Sequence, residues 1–232
     1  MKSFIPNLFT LLNLLSGSVS VIFAVNENLT WAAGFVFLGI IFDFFDGFLA
    51  RRLRVESDLG LQLDSLADMV TSGLVPGIVL YKLLEWSVGS EWESVVWVPY
   101  IGLIVTLASA YRLAKFNIST DQRTYFIGLP TPANALLILS LPLMLSHQNN
   151  DSINSIILNQ YVLISIAIIS AILLNAPIKL IALKFKTWDF SRNIGTYLLL
   201  ILSVVFLIIF KIAAIPLIIV TYIIISLLNP PS

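Results

Sequence analysis

The sequence predicts an all-α, polytopic membrane protein, and three observations carry that prediction. Apolar residues make up 58% of the 232 residues and charged residues only 11%, which is too apolar for a soluble domain of this length. The apolar residues form continuous runs, several of them long enough to cross a bilayer as a helix. Lysine and arginine gather at alternate connections between these runs.

Eight hydrophobic segments follow one another along the chain. They cover approximately residues 8–25, 30–50, 60–84, 95–116, 131–146, 157–175, 194–210 and 213–228. Only Lys211 and its neighbours separate the last two, which leaves open a tight helical hairpin or one bent element. No repeat, low-complexity tract or linker divides the sequence, so we expect a single membrane domain over residues 1–232.

The distribution of cationic residues predicts the orientation. With the N-terminus inside, all lysines and arginines except Lys82 and Lys211 lie on the cytoplasmic side. We therefore expect a multi-pass protein of the prokaryotic inner or plasma membrane whose active site faces the cytoplasm. The formal net charge is zero, so overall charge implies no nucleic-acid partner. The absence of cysteine excludes disulfides, thiolate nucleophiles and cysteine-ligated metal sites.

Four aspartates in apolar surroundings mark the candidate site. Asp43 and Asp46 belong to the second segment, and Asp64 and Asp68 to the third. At about 100° per residue, each pair lies on one face of its helix, and two adjacent antiparallel helices can direct these faces at each other. Small residues share the two faces and allow close approach of a ligand or of the partner helix: Gly47, Ala50 and Gly60.

Carboxylates within a membrane are costly, so they usually mark a functional site. One such aspartate could be a structural hydrogen-bonding group, but four at these spacings predict a divalent-metal site. Oxygen ligands of this kind suit Mg²⁺, Mn²⁺ or Ca²⁺. Two ions about 4 Å apart could hold a phosphoryl group between attacking and leaving oxygens. Arg51 would add a cation for phosphate recognition beside the carboxylates.

These residues resemble a known family. The pattern D-x-x-D-G-x-x-A-R-x8-G-x-x-x-D-x-x-x-D is that of the CDP-alcohol phosphatidyltransferases, and residues 43–68 match each of its fixed positions. The resemblance implies a helical bundle in the membrane that depends on Mg²⁺ or Mn²⁺, with two divalent ions expected, and that displaces CMP from a CDP-linked lipid with an alcohol. It also implies that a homodimer is possible.

The resemblance assigns roles to individual residues. Asp43, Asp46, Asp64 and Asp68 correspond to the metal ligands, and Asp68 also to the general base. Positions that contact the CDP part of the lipid correspond to Gly47, Arg51 and Ser57. The N-terminal P-N-x-x-T element, which lies beside the nucleotide in the family, corresponds to Pro6, Asn7 and Thr10. An ordinary helix start capped by Asn7 is the alternative interpretation of that element.

Further segments resemble the branch of the family that uses serine, the CDP-diacylglycerol–serine O-phosphatidyltransferases. They include Ile5–Asn13, Leu63–Val70, Tyr111–Asn117 and Phe126–Ala133. This likeness implies CDP-diacylglycerol and L-serine as substrates and membrane lipids as surroundings. Arg112 and Lys115, one turn apart, could bind the serine carboxylate, although both could instead be positive-inside anchors. Many members have arginine where Lys115 stands.

Rival interpretations stay open at the level of sequence. The acceptor could be glycerol 3-phosphate or inositol phosphate, whose dianionic phosphate calls for more cations in the acceptor pocket. The chain could also be a cation-coupled transporter, since buried aspartates also serve ion paths. A transporter is less favoured because the carboxylates lie at one membrane boundary and no interrupted helices recur in matching halves.

Overall fold

The fold was analysed in a computed structural model that describes residues 4–88, 97–118, 126–147, 150–181 and 194–228. The helices are α1 (Phe4–Val25), α2 (Leu29–Leu53), α3 (Asp58–Asp68), α4 (Val75–Val88), α5 (Ile104–Ile118), α6 (Thr131–His147), α7 (Asp151–Ile157), α8 (Gln160–Asn175), α9 (Ile194–Phe210) and α10 (Ala214–Leu228). A π-helix, Met69–Leu74, joins α3 to α4, and 3₁₀ turns precede α5 and α10. Two short strands, β1 (Phe126–Ile127) and β2 (Lys179–Leu180), pair antiparallel.

Five helical stretches of the described chain are long and apolar enough to cross a membrane. They are Phe4–Val25, Leu29–Leu53, Asp58–Val88, Val98–Ile118 and Gly195–Leu228. The bent pair α7 and α8 adds a sixth if it forms one span, and α6 is shorter, at 17 residues. The predicted all-α, polytopic fold class is confirmed. The eight predicted segments fall on helices, apart from residues 97, 158 and 159, which are not helical, and residues 95–96, which lie outside the described residues.

The stretch Gly195–Leu228 is 34 residues long, well beyond the roughly 20 residues that cross a bilayer as a helix. Lys211 interrupts it with a φ of 52°, a left-handed conformation that an α-helix cannot contain. α9 and α10 pack against each other, and Leu199 belongs to the same apolar cluster as Ile219 and Tyr222. The structure therefore favours the helical hairpin over the single bent element.

The connection between α2 and α3 is short and firmly capped at both ends. Arg54 takes the left-handed conformation at the C-terminus of α2, and its N–H bonds to the carbonyls of Ala50 and Arg51. Ser57 caps α3, because its Oγ accepts a hydrogen bond from the N–H of Gly60 at 3.1 Å. α2 and α3 both pack against α1, which brings their aspartates together at one end of the bundle.

Small and polar residues line the buried face of α1. Apart from the adjacent pair Ser16 and Gly17, they recur every three or four positions: Pro6, Thr10, Asn13, Ser16, Gly17, Ser20 and Ala24. α2 packs closely on this face, and the Ser20 hydroxyl donates to the carbonyl of Ala32 at 2.7 Å. The π-helix packs beside them, and the Thr71 hydroxyl donates to the carbonyl of Asn13 at 3.1 Å. Close approach of small residues is the usual packing mode for helices in membranes.

Gly17 and Gly34 offer a matched test of this packing. A Cβ on Gly17 would collide with Thr71 Oγ1 and lie 3.0 Å from the Thr71 backbone, whereas a Cβ on Gly34 would meet nothing within 4 Å. We expect Gly17→Ala to lower the free energy of unfolding by about 1–3 kcal/mol. Gly34→Ala should leave it unchanged or raise it by up to about 1 kcal/mol. Thermal unfolding in detergent compares the two, and equal stability of the variants would contradict this packing.

The described cationic residues segregate toward the two ends of the bundle. At the end away from the aspartates, Lys82 forms ion pairs with Glu27 at 3.5 Å and Glu85 at 2.8 Å. At the aspartate end lie Arg51, Arg52, Arg54, Arg112 and Lys115. Several other cations used in the orientation argument lie outside the described residues, namely Lys2, Arg123, Lys184, Lys186 and Arg192.

Candidate functional site

Three of the four predicted aspartates converge. Asp43 comes from α2, and Asp64 and Asp68 come from successive turns of α3. One carboxylate oxygen of each lies within 4.8 Å of the others, so a single ion could contact all three. Two helices that both pack against α1 therefore bring carboxylates from their predicted acidic faces together.

The surroundings of this cluster fit a cation. In the described part of the chain, no lysine or arginine forms an ion pair within 4.0 Å of any of the three carboxylates. Asp64 Oδ1 is buried and has no hydrogen-bond partner among those residues. Buried like charges without compensation are strongly unfavourable, and a divalent ion with oxygen ligands would relieve both the repulsion and the unsatisfied oxygen.

Asp46 lies outside the group of three. Its Oδ2 accepts a hydrogen bond of 2.6 Å from the Thr10 hydroxyl, and only 6% of the residue is exposed. It lines the same cavity as Asp64, so it borders the cluster without completing it. The assignment of Asp46 as a fourth metal ligand stays a prediction.

Asn13 is a site residue that the sequence reasoning did not single out. It is fully buried on α1, and its Nδ2 donates to Asp68 Oδ1 at 3.3 Å. Its own Oδ1 is buried without a hydrogen-bond partner in the described chain. Helical spacing could have identified Asn13 from the sequence. Pro6, Thr10 and Asn13 are four and three positions apart, so they share one helix face.

A cavity of about 380 Å³ opens beside the carboxylates. All six residues predicted to contact the CDP part of a lipid line this cavity together: Pro6, Asn7, Thr10, Gly47, Arg51 and Ser57. Asp46 and Asp64 line it as well, which joins the cavity to the carboxylate cluster. The motif around residues 43–68 and the N-terminal element, far apart in sequence, therefore form one site.

Two glycines keep the cavity open. A Cβ on Gly47 would lie 3.5 Å from Arg51 Nη1, in the space below the guanidinium. A Cβ on Gly60 would lie 3.3 Å from Ser57 Oγ and 3.5 Å from Asn7 Oδ1. A ligand can therefore approach the backbone of both helices where any other residue would place a side chain.

The charge of the cavity restricts what can bind there. Arg51 is the one cationic side chain among its described lining residues, against four acidic ones: Asp46, Glu56, Asp58 and Asp64. The sequence analysis did not single out Glu56 and Asp58, because they lie in or next to a short polar connection between two helices. An anionic ligand would be repelled from such a cavity, so it needs the positive charge of bound cations to enter.

Arg112 and Lys115 lie on the other side of the cluster. Arg112, on α5, is only 8% exposed, and its Nε has no hydrogen-bond partner within the described residues. It lies close enough to Asp68 for electrostatic interaction. Lys115 is exposed, and both residues line a second cavity of about 20 Å³ with Ile127 and Asn175. That space holds roughly one water molecule, so it is at most one end of an acceptor pocket.

A polar contact joins the helix of the aspartates to the helix of Arg112. Ser65 Oγ on α3 donates to Asn117 Oδ1 on α5 at 2.9 Å. Asn117 Nδ2 donates in turn to Gln62 Oε1 at 3.2 Å. These bonds fix the distance between the carboxylates and the cations of α5.

Comparisons with known proteins agree with this geometry. The family model described as CDP-alcohol phosphatidyltransferase matches residues 3–188. The CDP-diacylglycerol–serine O-phosphatidyltransferase of Bacillus subtilis is 34% identical over 143 residues, which cover 60% of this chain and 75% of that protein. Proteins of the same name from Helicobacter pylori and Methanocaldococcus jannaschii are 29% identical over 205 residues and 33% identical over 153 residues. These matches cover 87% and 66% of this chain, and 81% and 66% of the respective relatives.

Proposed function

Because the chain belongs to the CDP-alcohol phosphatidyltransferase family, we propose that it transfers the phosphatidyl group of CDP-diacylglycerol to the hydroxyl of L-serine. The products are phosphatidylserine and CMP. The chain is an integral, multi-pass membrane enzyme. One observation carries the mechanism: the carboxylate cluster opens, through Asp64, into the cavity that the predicted CDP-contact residues line.

Asp43, Asp64 and Asp68 would hold a divalent ion, and Asp46 with Asp64 would contribute to a second. Mg²⁺ and Mn²⁺ are the ions we propose, because both favour carboxylate oxygens. When bound, such ions neutralise the diphosphate and stabilise the charge that develops on the leaving CMP. The electronegative cavity supports this requirement, since Arg51 alone cannot balance its acidic lining.

The CDP part of the lipid would occupy the large cavity. Arg51 offers the planar donor set that suits phosphate oxygens, and Gly47 leaves space beneath it for the diphosphate. Ser57, Asn7 and Thr10 line the remaining wall, where the cytidine would bind. The acyl chains would extend toward the surrounding lipid.

Asp68 would act as the general base. It accepts the proton of the serine hydroxyl while that oxygen forms a bond to the lipid-side phosphorus and the bond from phosphorus to the CMP oxygen breaks. The hydrogen bond from Asn13 Nδ2 to Asp68 Oδ1 would help to orient this carboxylate. Arg112, close to Asp68, would bind the serine carboxylate, and the exposed Lys115 would lie at the entrance.

Arg112→Gln tests the acceptor assignment. A charge-assisted hydrogen bond contributes about 1.5–3 kcal/mol, so we expect the variant to raise the KM for serine by roughly 10–100-fold. The KM for CDP-diacylglycerol should stay within about twofold, because Arg112 does not line the large cavity. Arg52→Gln removes an exposed cation of the same boundary and should behave as the wild type. A parallel rise of both KM values would contradict a role in serine binding.

The function itself is tested with purified protein, CDP-diacylglycerol and radiolabelled acceptors. Serine should enter a lipid product and release CMP, whereas glycerol 3-phosphate and inositol phosphate should not. Product from either of those acceptors, and none from serine, would assign a different alcohol. CMP release in detergent that depends on Mg²⁺ or Mn²⁺ would exclude a pure cation-coupled transporter, because no compartments remain for transport.

We also propose that the active site faces the cytoplasm from the prokaryotic inner or plasma membrane. The cations at the aspartate end and the acidic partners of Lys82 at the other end support this orientation. A homodimer stays a prediction, to be tested by the mass of the purified protein–detergent complex.

A further inference from the structure

Asn13 is energetically costly at its position in α1. It is fully buried, and its Oδ1 has no hydrogen-bond partner among the described residues. A buried amide oxygen without a partner costs free energy that an apolar side chain of similar volume would avoid. This cost indicates that Asn13 has a role beyond packing, and its hydrogen bond to Asp68 is the contact that can supply one.

The orientation of the Asn13 amide follows from its neighbours on two other helices. An ionised carboxylate can only accept hydrogen bonds, so the amide must present Nδ2 to Asp68, and Nδ2 lies 3.3 Å from Asp68 Oδ1. The amide oxygen lies against α2 instead, where a Cβ on Gly39 would be only 2.8 Å from it. The amide oxygen therefore has space only because residue 39 has no side chain.

The backbone around Asn13 is held more firmly than its side chain. The Thr71 hydroxyl donates to the Asn13 carbonyl at 3.1 Å, and α1 packs closely on both α2 and the π-helix. A Cβ on Gly39 would also lie 2.7 Å from Thr71 Cγ2. Because the packed backbones resist separation while the Asn13 amide can rotate, a side chain at position 39 would turn the amide and break its bond to Asp68.

We propose that Gly39 is a positioning residue for the base, because it leaves the space in which Asn13 holds Asp68 in the orientation that accepts the serine proton. This inference rests on the proposed function. It assigns an effect on turnover to a buried position of α2, one turn before Asp43, that lies outside the large cavity. The three helices α1, α2 and α3 then act together on one carboxylate.

The test compares Gly39→Ala with Gly34→Ala in purified full-length protein. Each variant adds one methyl group to α2, but at Gly34 it would meet nothing within 4 Å. We expect Gly39→Ala to lower kcat about tenfold or more, as for the loss of a hydrogen bond to a charged group, and to leave the KM values for serine and CDP-diacylglycerol within about twofold. Gly34→Ala should behave as the wild type. Release of CMP measures both constants.

Thr71→Ser separates positioning from a general loss of packing. Serine lacks the Cγ2 that a Cβ at position 39 would meet, and it keeps the hydroxyl that donates to Asn13. On its own, Thr71→Ser should have wild-type activity. Combined with Gly39→Ala, it should recover thermal stability but not kcat, because the Asn13 amide is still turned. Recovery of kcat together with stability would attribute the effect to Thr71 and overturn the inference.

A double-mutant cycle with Asn13→Ala adds a measurement that a merely structural role would not move. Asn13→Ala should lower kcat by a similar factor, and Gly39→Ala should add no further loss in that background, because no amide remains to be turned. Additive losses, or wild-type kcat in either single variant, would overturn the inference. If the wild type uses glycerol 3-phosphate or inositol phosphate instead of serine, the proposed acceptor is wrong, and the same comparison with that acceptor decides on Gly39. A wild type that releases no CMP with any of the three overturns both proposals.

Discussion

Asp68→Asn should lower turnover at least about a thousandfold while binding of CDP-diacylglycerol stays measurable. General base catalysis contributes about 10²–10⁴-fold, and the same carboxylate also belongs to the metal cluster, so both contributions are lost together. Binding should survive because Asp68 does not line the large cavity. Release of CMP measures the first effect, and equilibrium binding of a labelled CDP-lipid measures the second.

Asp151→Asn is the matched control for this substitution. Asp151 is exposed in the first turn of α7, outside the carboxylate cluster and the cavities, and the chemical change is the same. We expect wild-type turnover from it. Substantial activity of Asp68→Asn would refute the assignment of the base. Loss of CDP-lipid binding in that variant would instead show that Asp68 contributes to the nucleotide site.

The double substitution Asp43→Asn and Asp64→Asn should abolish Mn²⁺ binding and turnover. It leaves one carboxylate where three now lie within 4.8 Å, and neutral amides are weak ligands for a divalent ion. In the wild type, Mn²⁺ at a hundred times its dissociation constant should stabilise the folded state by about 2.7 kcal/mol. Calorimetric titration measures the binding, and the shift of the unfolding temperature with Mn²⁺ measures the stabilisation. Both should be absent in the variant.

The stability of the same variant without metal distinguishes loss of the metal site from loss of the fold. Removing two of three buried like charges relieves their repulsion, so without metal the variant should be at least as stable as the wild type. Wild-type affinity for Mn²⁺ in the variant would show that the ion binds elsewhere. A lower metal-free stability would show that the carboxylates have a structural role.

Much of the fold was predictable because a membrane restricts the possibilities. Long apolar runs within a bilayer must become helices, so the segments and the fold class followed from hydrophobicity alone. The number of spans was harder to predict from hydrophobicity. Whether α9 and α10 form one helix or two depends on the backbone at Lys211, which takes a left-handed conformation that lysine adopts rarely. The sequence marks a break at Lys211, but it does not decide between a hairpin and a bend.

The site was predictable to the extent that it depends on spacing. Helical periodicity placed Asp43, Asp64 and Asp68 on facing stripes, and the structure brings them together. Asn13 was missed because its contact with Asp68 joins residues 55 positions apart. Asp46 shows the same limit, since its bond to Thr10 depends on how α1 packs against α2. Periodicity identifies the face on which a side chain lies but not the neighbour that it meets.

The wide turn Met69–Leu74 has a consequence for rotational phase. A π-helix accommodates one residue more than an α-helix over the same rise, which offsets everything after it by about 100°. The side chains of α4 are therefore rotated about the helix axis relative to those of α3. α3 carries the aspartates of the site, and α4 directs Leu80, Leu83 and Leu84 into the core. Superposition on a homologue that lacks the widened turn would require a single-position gap within an otherwise continuous helix.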